Sequence, residues 1–225
     1  MKRAAPAFRT AGPVTLIGGG PVRPEEVARA LAVAPGVFGA DGGGDTALPP
    51  GAEFSAVIGD MDSLRGAAAL RARGVPLHRI AEQDSTDLEK CLAAIEAPLF
   101  VGLGFLGARL DHELAAMNAV GRAKAGSVLL MGPRDICFRC PPRLDLTLEP
   151  GCRVSLFPLG PARGALCEGL RWNTEGLDFA PWARIGTSNM ALGGELRLAF
   201  DGGPMLVILP AALFEPVAAR LAAEA

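Results

Sequence analysis

Over the first 135 residues, short apolar runs alternate with longer segments that have a helical pattern of apolar positions. The apolar runs are expected to form strands, at 14–17, 36–41, 54–60, 75–80, 99–104 and 127–131. The segments between them are expected to form helices, at 24–34, 64–74, 86–96 and 111–126. This alternation predicts a parallel sheet with crossover helices, a Rossmann-like α/β arrangement.

The pattern changes after position 135. Leu144, Leu146 and Leu148 alternate with polar residues, which is the two-residue period of a half-buried strand. Further short apolar runs follow, separated by Gly and Pro, and these predict antiparallel β structure. The sequence therefore predicts two closely packed domains, an α/β domain of residues 1–135 and an antiparallel, β-sandwich-like domain of residues 136–225.

Aspartates occur repeatedly where the predicted strands of the first domain end. They are Asp41, the pair Asp60 and Asp62, the pair Asp84 and Asp87, and Asp111. Ligands of open α/β sheets bind outside the carboxyl ends of the strands, so we expect these acids to converge on one crevice. Two carboxylates about 4 Å apart repel by about 4 kcal/mol at an effective dielectric near 20. Such a cluster is therefore tolerable only if some acids are protonated, if basic partners intervene or if a divalent cation is bound among them. Hard oxygen ligands in a chain with only two histidines indicate Mg²⁺.

Asp60 and Asp62 taken alone have a simpler explanation. The stretch VIGDMDSL (57–64) also fits a solvated turn after a strand, with Ser63 capping the next helix. Binding one ion with both acids is expected to require a turn after Gly59. A second helix start is indicated by Thr86 and Glu89, which have the spacing of a capping box.

The overall composition excludes several function classes. A net charge of -2 gives no electrostatic case for nucleic acid or an anionic membrane, and no apolar run is long enough to span a membrane. The five cysteines suit a reducing compartment, and without a signal-peptide pattern a cytoplasmic location is expected. Cys137 and Cys140 form a C-x-x-C, but no second ligand pair follows, so isolated thiols are favoured over a zinc site.

Five motifs together resemble the thiamine pyrophosphokinase family. They occur in the family's order, as ADGGGDTAL (40–48), VIGDMDSL (57–64), EQDSTDLEKCL (82–92), GFLGARLDHELAAMNAV (104–120) and GTSNMAL (186–192). The resemblance spans most of the chain and implies an α/β domain followed by a β domain. It implies an enzyme that transfers a pyrophosphoryl group from ATP to the hydroxyl of thiamine, giving thiamine diphosphate and AMP. It also implies a homodimer whose active sites are shared between subunits.

The resemblance also implies roles for individual residues. Asp60, Asp62 and Asp87 would bind Mg²⁺ and, with Arg109 and Asp111, form the catalytic group at the transferring phosphates. The nucleotide side would be formed by Asp41, Gln83, Asp84, Thr86 and Lys90. Thiamine would be bound from the second domain by Trp172, Ser188 and Asn189. We expect the first domain to bind Mg-ATP and the second to contribute to thiamine binding and dimerisation.

Three positions depart from the family pattern. Asp45 stands where an asparagine is usual, Ala108 where a glycine precedes the arginine of RLDH, and Met190 where a glutamate follows the last motif. Met190 leaves thiamine versus a related heterocyclic alcohol open, so a pyrophosphokinase acting on a hydroxymethylpterin is one alternative. A noncatalytic nucleotide-binding module is another, although binding alone would not need so many acids.

Several single residues and motifs have alternative interpretations. Lys90 could be a surface partner of Asp87, Arg109 a solvated loop charge, and Trp172 a core residue. The run GLGFLG (102–107) matches the dinucleotide pattern G-x-G-x-x-G, but it follows the fifth predicted strand and no acid ends the next strand. The run GGGP (18–21) fits either a tight turn or a backbone approach to ATP.

Overall fold

The computed structural model describes residues 5–123 and 126–223. The outermost residues of the two predicted domains, and positions 124 and 125 of the helix predicted at 111–126, lie outside these ranges. The first half contains β1 (Phe8–Arg9), β2 (Val14–Ile17), α1 (Pro24–Val33), β3 (Gly36–Ala40), β4 (Phe54–Gly59), α2 (Ala67–Ala72), β5 (Leu77–Arg79), α3 (Asp87–Ala94), β6 (Ile95–Glu96), β7 (Leu99–Leu103), α4 (Leu110–Arg122) and β8 (Ser127–Met131).

The second half is mostly β structure. It contains β9 (Asp135–Arg139), β10 (Leu144–Leu148), β11 (Arg153–Pro158), β12 (Ala162–Glu168), β13 (Asp178–Phe179), β14 (Gly186–Met190), β15 (Gly194–Gly202), β16 (Met205–Pro210) and the terminal helix α5 (Phe214–Ala222).

One mixed sheet of ten strands runs through both halves, in the order β14-β11-β16-β9-β8-β7-β2-β3-β4-β5. The strands from the first half pair in parallel, and β8 then pairs with β9 in antiparallel fashion through the turn at 132–135. The change of pattern near position 135 therefore marks a change from parallel to antiparallel pairing within one sheet. A second antiparallel sheet, in the order β10-β15-β12-β13, is formed only by strands of the second half.

The apolar core connects the two halves. Its largest cluster joins α1 and α5 to strands of both sheets, including Val27, Leu129, Leu146, Leu198 and Val217. The opposite face of the parallel strands is covered by α3 and α4, where Leu88, Cys91 and Val120 pack against Phe38 and Phe100. An ion pair between Arg29 Nε and Glu215 Oε1, 2.7 Å apart, also joins α1 to α5.

Helix starts follow the predicted signals in two cases and depart from them in one. Pro24 begins α1, and the Thr86–Glu89 capping box begins α3, as predicted. Ser63, however, does not cap the following helix: α2 begins at Ala67 after Gly66, without a side-chain cap. The backbone amides of Arg65 and Gly66 are instead bound by the carboxylate of Asp45.

Chain order in the parallel half reverses at β2. The strands β2 to β5 follow one another in one direction, whereas β7 and then β8 lie on the other side of β2. Such a switch point leaves a crevice outside the carboxyl ends of the central strands, because the loops on its two sides diverge. The fold therefore places the ends of β2, β3, β4 and β7 around one opening.

Candidate active site

A cleft of about 920 Å³ lies at this switch point. Its walls come from the loops after β2, β3, β4 and β7 and from the first turns of α3 and α4. Most of the predicted catalytic and nucleotide-binding residues line it: Asp41, Asp60, Asp62, Gln83, Thr86, Asp87, Lys90 and Arg109. The predicted convergence of strand-end acids is therefore observed for most of the set.

Three aspartates form the centre of the cleft. One carboxylate oxygen from each of Asp41, Asp60 and Asp62 lies within 4.8 Å of the other two. The necessary turn is present, because Met61 between the two acids has a φ of 71°, in the left-handed region. The alternative of an ordinary helix-capping turn fails, since Ser63 does not cap α2.

Asp41 is the deepest of the three acids. Its side chain is 2 % exposed, and its Oδ2 accepts a hydrogen bond from the Ser63 amide at 3.1 Å. Its Oδ1 is buried and has no hydrogen-bond partner among the described residues. Burial raises the pKa of Asp41, an effect that the Ser63 hydrogen bond opposes and the negative charge of Asp87 reinforces. A buried oxygen without a partner, on a side chain that belongs to the acidic trio, fits a cation ligand.

Asp60 is held in the ionised form. Its Oδ1 accepts a hydrogen bond from the Asp62 amide at 3.2 Å, and its Oδ2 accepts bonds from Gln83 Nε2 at 2.9 Å and Lys90 Nζ at 3.3 Å. These contacts lower the pKa of Asp60 to about 2, the Asp62 amide having the largest effect. The carboxylate is therefore charged and oriented over the whole physiological pH range.

Lys90 is buried between two acids. Its side chain is 3 % exposed, and its Nζ lies 3.3 Å from Asp60 Oδ2 and 3.4 Å from Asp87 Oδ1. Burial alone would lower the pKa of Lys90, but the hydrogen bonds and charges of the two acids outweigh it and raise that pKa. The interpretation of Lys90 as a surface partner of Asp87 is therefore wrong. The buried ammonium thus links Asp60, at the end of β4, to Asp87, at the start of α3.

Asp87 lies at the edge of the acidic trio rather than within it. Its side chain is 40 % exposed and contacts Lys90. Burial raises the pKa of Asp87, and the charge of Lys90 only partly offsets this effect. Thr86 uses its hydroxyl oxygen to accept the Glu89 amide of the capping box. Asp84 is exposed and is absent from the cleft lining within the described residues.

Arg109 and Asp111 form an exposed pair at the mouth of the cleft. Arg109 Nε lies 3.1 Å from Asp111 Oδ1, and Arg109 Nη2 lies 2.6 Å from Asp111 Oδ2. The hydrogen bonds from Arg109 lower the pKa of Asp111. Arg109 lines the cleft and is 69 % exposed, and Asp111 contacts it there, so the role of this pair at the phosphates stays a prediction.

Two glycine-rich loops form a further wall. Gly18 and Gly20 follow β2, Gly104 follows β7, and the Gly20 amide donates to the Gly104 carbonyl at 3.0 Å. A Cβ at Gly20 would lie 2.5 Å from that carbonyl oxygen, so only glycine permits this approach. The sequence signal was present in GGGP and GLGFLG, but neither motif alone indicates that the two loops meet.

The predicted thiamine residues lie elsewhere. None of Trp172, Ser188 and Asn189 lines the cleft. Ser188 and Asn189 lie on the edge strand β14 of the second half, and Trp172 lies beside that strand. Asn189 is buried, its Oδ1 accepting from the Trp172 amide at 3.2 Å and its Nδ2 donating to the Trp172 carbonyl at 2.7 Å. Ser188 is exposed with a φ of 58°.

Trp172 is not a core residue, because it is 53 % exposed. The Arg171 guanidinium lies 5.0 Å from the centroid of its ring. The exposed ring is thus an aromatic surface, held in place through the backbone bonds to Asn189.

Other predicted features can be placed briefly. Cys137 is buried and Cys140 partly buried. Within the described residues, the acidic trio is the group of side chains that could hold a metal ion, so the C-x-x-C takes no part in one. Among the helices that the structure describes, none has the length and apolar character needed to cross a membrane.

Comparisons with known proteins agree on one family. The family described as "Thiamin pyrophosphokinase, catalytic domain" matches residues 27–130. "Thiamine pyrophosphokinase 1" of Oryza sativa subsp. japonica is 29 % identical over 164 residues, which are 64 % of this chain and 62 % of that protein. The chain thus spans less than two thirds of the length of this relative.

Solved structures show the same fold. Thiamin pyrophosphokinase from Geobacillus thermodenitrificans superimposes with a TM-score of 0.72 at 19 % identity, covering 88 % of this chain and 96 % of that one. The enzyme from Candida albicans has a TM-score of 0.72 at 12 % identity, covering 92 % of this chain and 94 % of that one. The mixed sheets with helices described above are therefore the architecture of these proteins.

Proposed function

We propose that this chain is a member of the thiamine pyrophosphokinase family, to which its comparisons point, and that it transfers a pyrophosphoryl group from ATP to the hydroxyl of thiamine. The products would be thiamine diphosphate and AMP. The observation that carries the proposal is the switch-point cleft, in which Asp41, Asp60 and Asp62 direct carboxylate oxygens at one another beside a buried lysine. A binding module would have no need for this concentration of charge.

The residues of the cleft fit a magnesium ion. Asp41 Oδ1 is a buried oxygen without a partner, and the neighbouring donors are carboxylates, the ligands that Mg²⁺ prefers. We assign Asp41, Asp60 and Asp62 to the metal. When bound, Mg²⁺ neutralises charge on the triphosphate and orients it for transfer. Asp87 was also predicted as a ligand; that role stays a prediction, because its carboxylate contacts Lys90 instead of the trio.

The transfer itself requires a nucleophile, a leaving group and a proton acceptor. The hydroxyl oxygen of thiamine attacks the β-phosphorus, the bond from that phosphorus to the oxygen of the α-phosphate breaks, and AMP leaves. The hydroxyl proton passes to a carboxylate, for which we propose Asp87, because burial raises its pKa and because, unlike Asp41, it lies outside the trio assigned to the metal. Lys90 keeps Asp60 and Asp87 at a fixed separation, and Arg109 faces the phosphates from the cleft mouth.

Thiamine binding is assigned to the second half. We propose that residues 1–135 bind Mg-ATP and that residues 136–225 contribute Trp172 and Ser188 to thiamine, with the predicted residue Asn189 holding the backbone of Trp172 in place. These residues do not reach the cleft of their own chain, and this supports a homodimer in which each cleft is completed by the other subunit. The exposed ring of Trp172 would stack on the thiazolium or pyrimidine ring of thiamine.

The proposal is tested by measuring AMP release from Mg-ATP with three mixtures, containing thiamine, a hydroxymethylpterin or no acceptor. AMP that forms only with thiamine, together with thiamine diphosphate, is expected. AMP that forms only with the pterin would show that the acceptor is a pterin and not thiamine. No AMP with either acceptor would contradict an enzymatic function.

A further inference from the structure

Three strong cations line the cleft, and they differ in their partners. Lys90 is bound to Asp60 and Asp87, and Arg109 is paired with Asp111. Arg65 is exposed on the cleft wall, and its guanidinium has no carboxylate or carbonyl partner within the described residues. Arg65 can therefore bind an anion without breaking an existing ion pair, which is not true of the other two.

The backbone at Arg65 is held by Asp45. Asp45 Oδ2 accepts a hydrogen bond from the Arg65 amide at 2.9 Å, and Asp45 Oδ1 accepts one from the Gly66 amide at 2.7 Å. Asp45 ends the short 3₁₀ turn that begins with Asp41, and Asp41 binds the Ser63 amide. The first and last residues of this five-residue turn thus both bind the loop that carries Asp62 and Arg65.

An aspartate suits this position for a geometric reason. Its two oxygens each accept one amide, whereas an asparagine would turn an NH₂ group toward one of the two backbone N–H donors. The departure from the family pattern at position 45 is therefore explained by the loop it supports. Both oxygens of the Asp45 carboxylate accept loop amides, so this acid supports the loop and is not a member of the acidic trio.

We infer that Arg65 binds the triphosphate of the nucleotide and that Asp45 is the positioning residue that holds Arg65 at the cleft wall. The inference rests on the proposed function, in which the cleft binds Mg-ATP. A triphosphate carries more negative charge than one divalent ion neutralises, and a guanidinium binds phosphate oxygens through two parallel hydrogen bonds. Arg65 supplies that contact from the wall that also carries Asp62.

The direct test is binding of Mg²⁺ with α,β-methylene-ATP, an analogue whose transferable bond cannot break, measured by calorimetry. Arg65→Ala is expected to raise Kd about 10-fold, the loss of a charge-assisted contact. Arg65→Lys should recover only part of that affinity, because an ammonium lacks the paired donors. Adenosine, which has no phosphate, should bind the wild type and Arg65→Ala equally. Arg71→Ala is the matched control, because Arg71 is exposed on α2 outside the cleft lining.

Asp45 is tested by coupling. Asp45→Asn should raise Kd for the analogue several-fold in the wild type and little in the Arg65→Ala background, because its effect passes through Arg65. In turnover, both variants should raise KM for Mg-ATP more than they lower kcat, with KM for thiamine unchanged. Thermal unfolding shows whether Asp45→Asn folds, and Arg65→Ala keeps the inference testable if it does not.

Each result separates this inference from the proposed function. Equal loss of adenosine and analogue binding in Arg65→Ala would mean a distorted cleft, and unchanged analogue binding would mean no phosphate contact; either overturns the inference. Additive effects of the two substitutions would remove the positioning role of Asp45. If the wild type binds the analogue but releases no AMP with either acceptor, the proposed function fails while Arg65 is still judged by binding.

Discussion

The residues of the cleft in the first half and those around Trp172 in the second half were both predicted from motifs. The two groups differ in how the strands of the fold bring their side chains together. The motif acids of the first half meet because parallel strands end at one edge of a sheet, and a switch of strand order opens a crevice there. The motif residues of the second half lie on and beside the antiparallel edge strand β14, and no comparable rule brings them to that crevice.

The two regions also differ in how their polar groups are satisfied. The cleft keeps three carboxylates close together and leaves Asp41 Oδ1 without a partner. At the other surface, Asn189 is fully engaged with the backbone of Trp172 and Met190. Groups that are crowded or unsatisfied exist at a cost to stability, so substitutions in the cleft should affect activity more than folding. A substitution at Asn189 should instead affect folding more than activity.

The largest expected effect follows from neutralising one acid of the trio. Asp62 is exposed, so Asp62→Asn should leave the free energy of unfolding nearly unchanged. Asp62→Asn should lower kcat roughly 100-fold or more, because the site loses one of the charged groups that position the metal at the reacting phosphates. Asp60→Asn should lower kcat similarly but also destabilise the protein by about 1–3 kcal/mol, because the buried ammonium of Lys90 loses a partner.

The measurements are kcat at saturating Mg-ATP and thiamine, and urea unfolding without metal. Asp178→Asn is the control, since Asp178 is an exposed acid paired with Arg163 in the second half. Near-normal turnover of Asp62→Asn at limiting Mg²⁺ would remove Asp62 from the metal site. An equal loss of stability in both cleft variants would contradict the separate roles assigned to Asp60 and Asp62.

The second effect concerns folding of the Trp172 surface. Asn189→Ala leaves the backbone N–H and C=O of Trp172 without their partner, so we expect a loss of about 2 kcal/mol in the free energy of unfolding. The neighbouring side chain of Ser188 is exposed, so Ser188→Ala should change the free energy of unfolding by less than about 0.5 kcal/mol. Urea unfolding measures both, and KM for Mg-ATP should remain unchanged.

This pair of variants can also break the comparison. If Asn189→Ala kept full stability but raised KM for thiamine, the side chain would be a direct substrate ligand and the structural assignment would be incorrect. If both Asn189→Ala and Ser188→Ala raised KM for thiamine without loss of stability, the whole GTSN segment would contact substrate.

The contrast also explains which features could be predicted from sequence. Thr86 and Glu89 act within one turn of chain, so their spacing sufficed to predict the start of α3. The acids at strand ends could be predicted to converge because all parallel strands share that geometry. The capping role predicted for Ser63 was wrong because Asp45, 20 residues earlier than Arg65, binds the loop amides, and a local pattern cannot show such a contact.

Long-range features escaped prediction for the same reason. The burial of Lys90 depends on the position of β4 beside α3, and the contact of Gly20 with Gly104 depends on β7 pairing with β2. The continuation of one sheet across position 135 depends on the pairing of β8 with β9. Each requires the order of strands in the sheet, which the order of strands in the sequence does not determine.

The smallest effect tests the deepest part of the cleft, where function and stability should oppose each other. Burial raises the pKa of Asp41, so in the metal-free protein its ionisation disfavours the folded state. The stability contribution of this group is present below its unfolded pKa and is lost as pH rises through its folded pKa. Asp41→Asn cannot ionise. Without metal, it should therefore exceed the wild type in the free energy of unfolding at neutral pH.

The stability advantage of Asp41→Asn over the wild type should shrink as pH falls to about 4 and below, because Asp41 is then protonated in the folded and increasingly in the unfolded state. Asp60 titrates with the opposite sign at lower pH, because its pKa is lowered to about 2, and it does so in both proteins. With Mg²⁺ at 100 times its Kd, the wild type should gain about 2.7 kcal/mol and the variant much less, so that the order of stability reverses. Thermal unfolding with and without Mg²⁺ measures this reversal. Equal stabilisation of both proteins by Mg²⁺ would exclude Asp41 as a ligand, and the unsatisfied oxygen would then be a cost of folding with no compensating role.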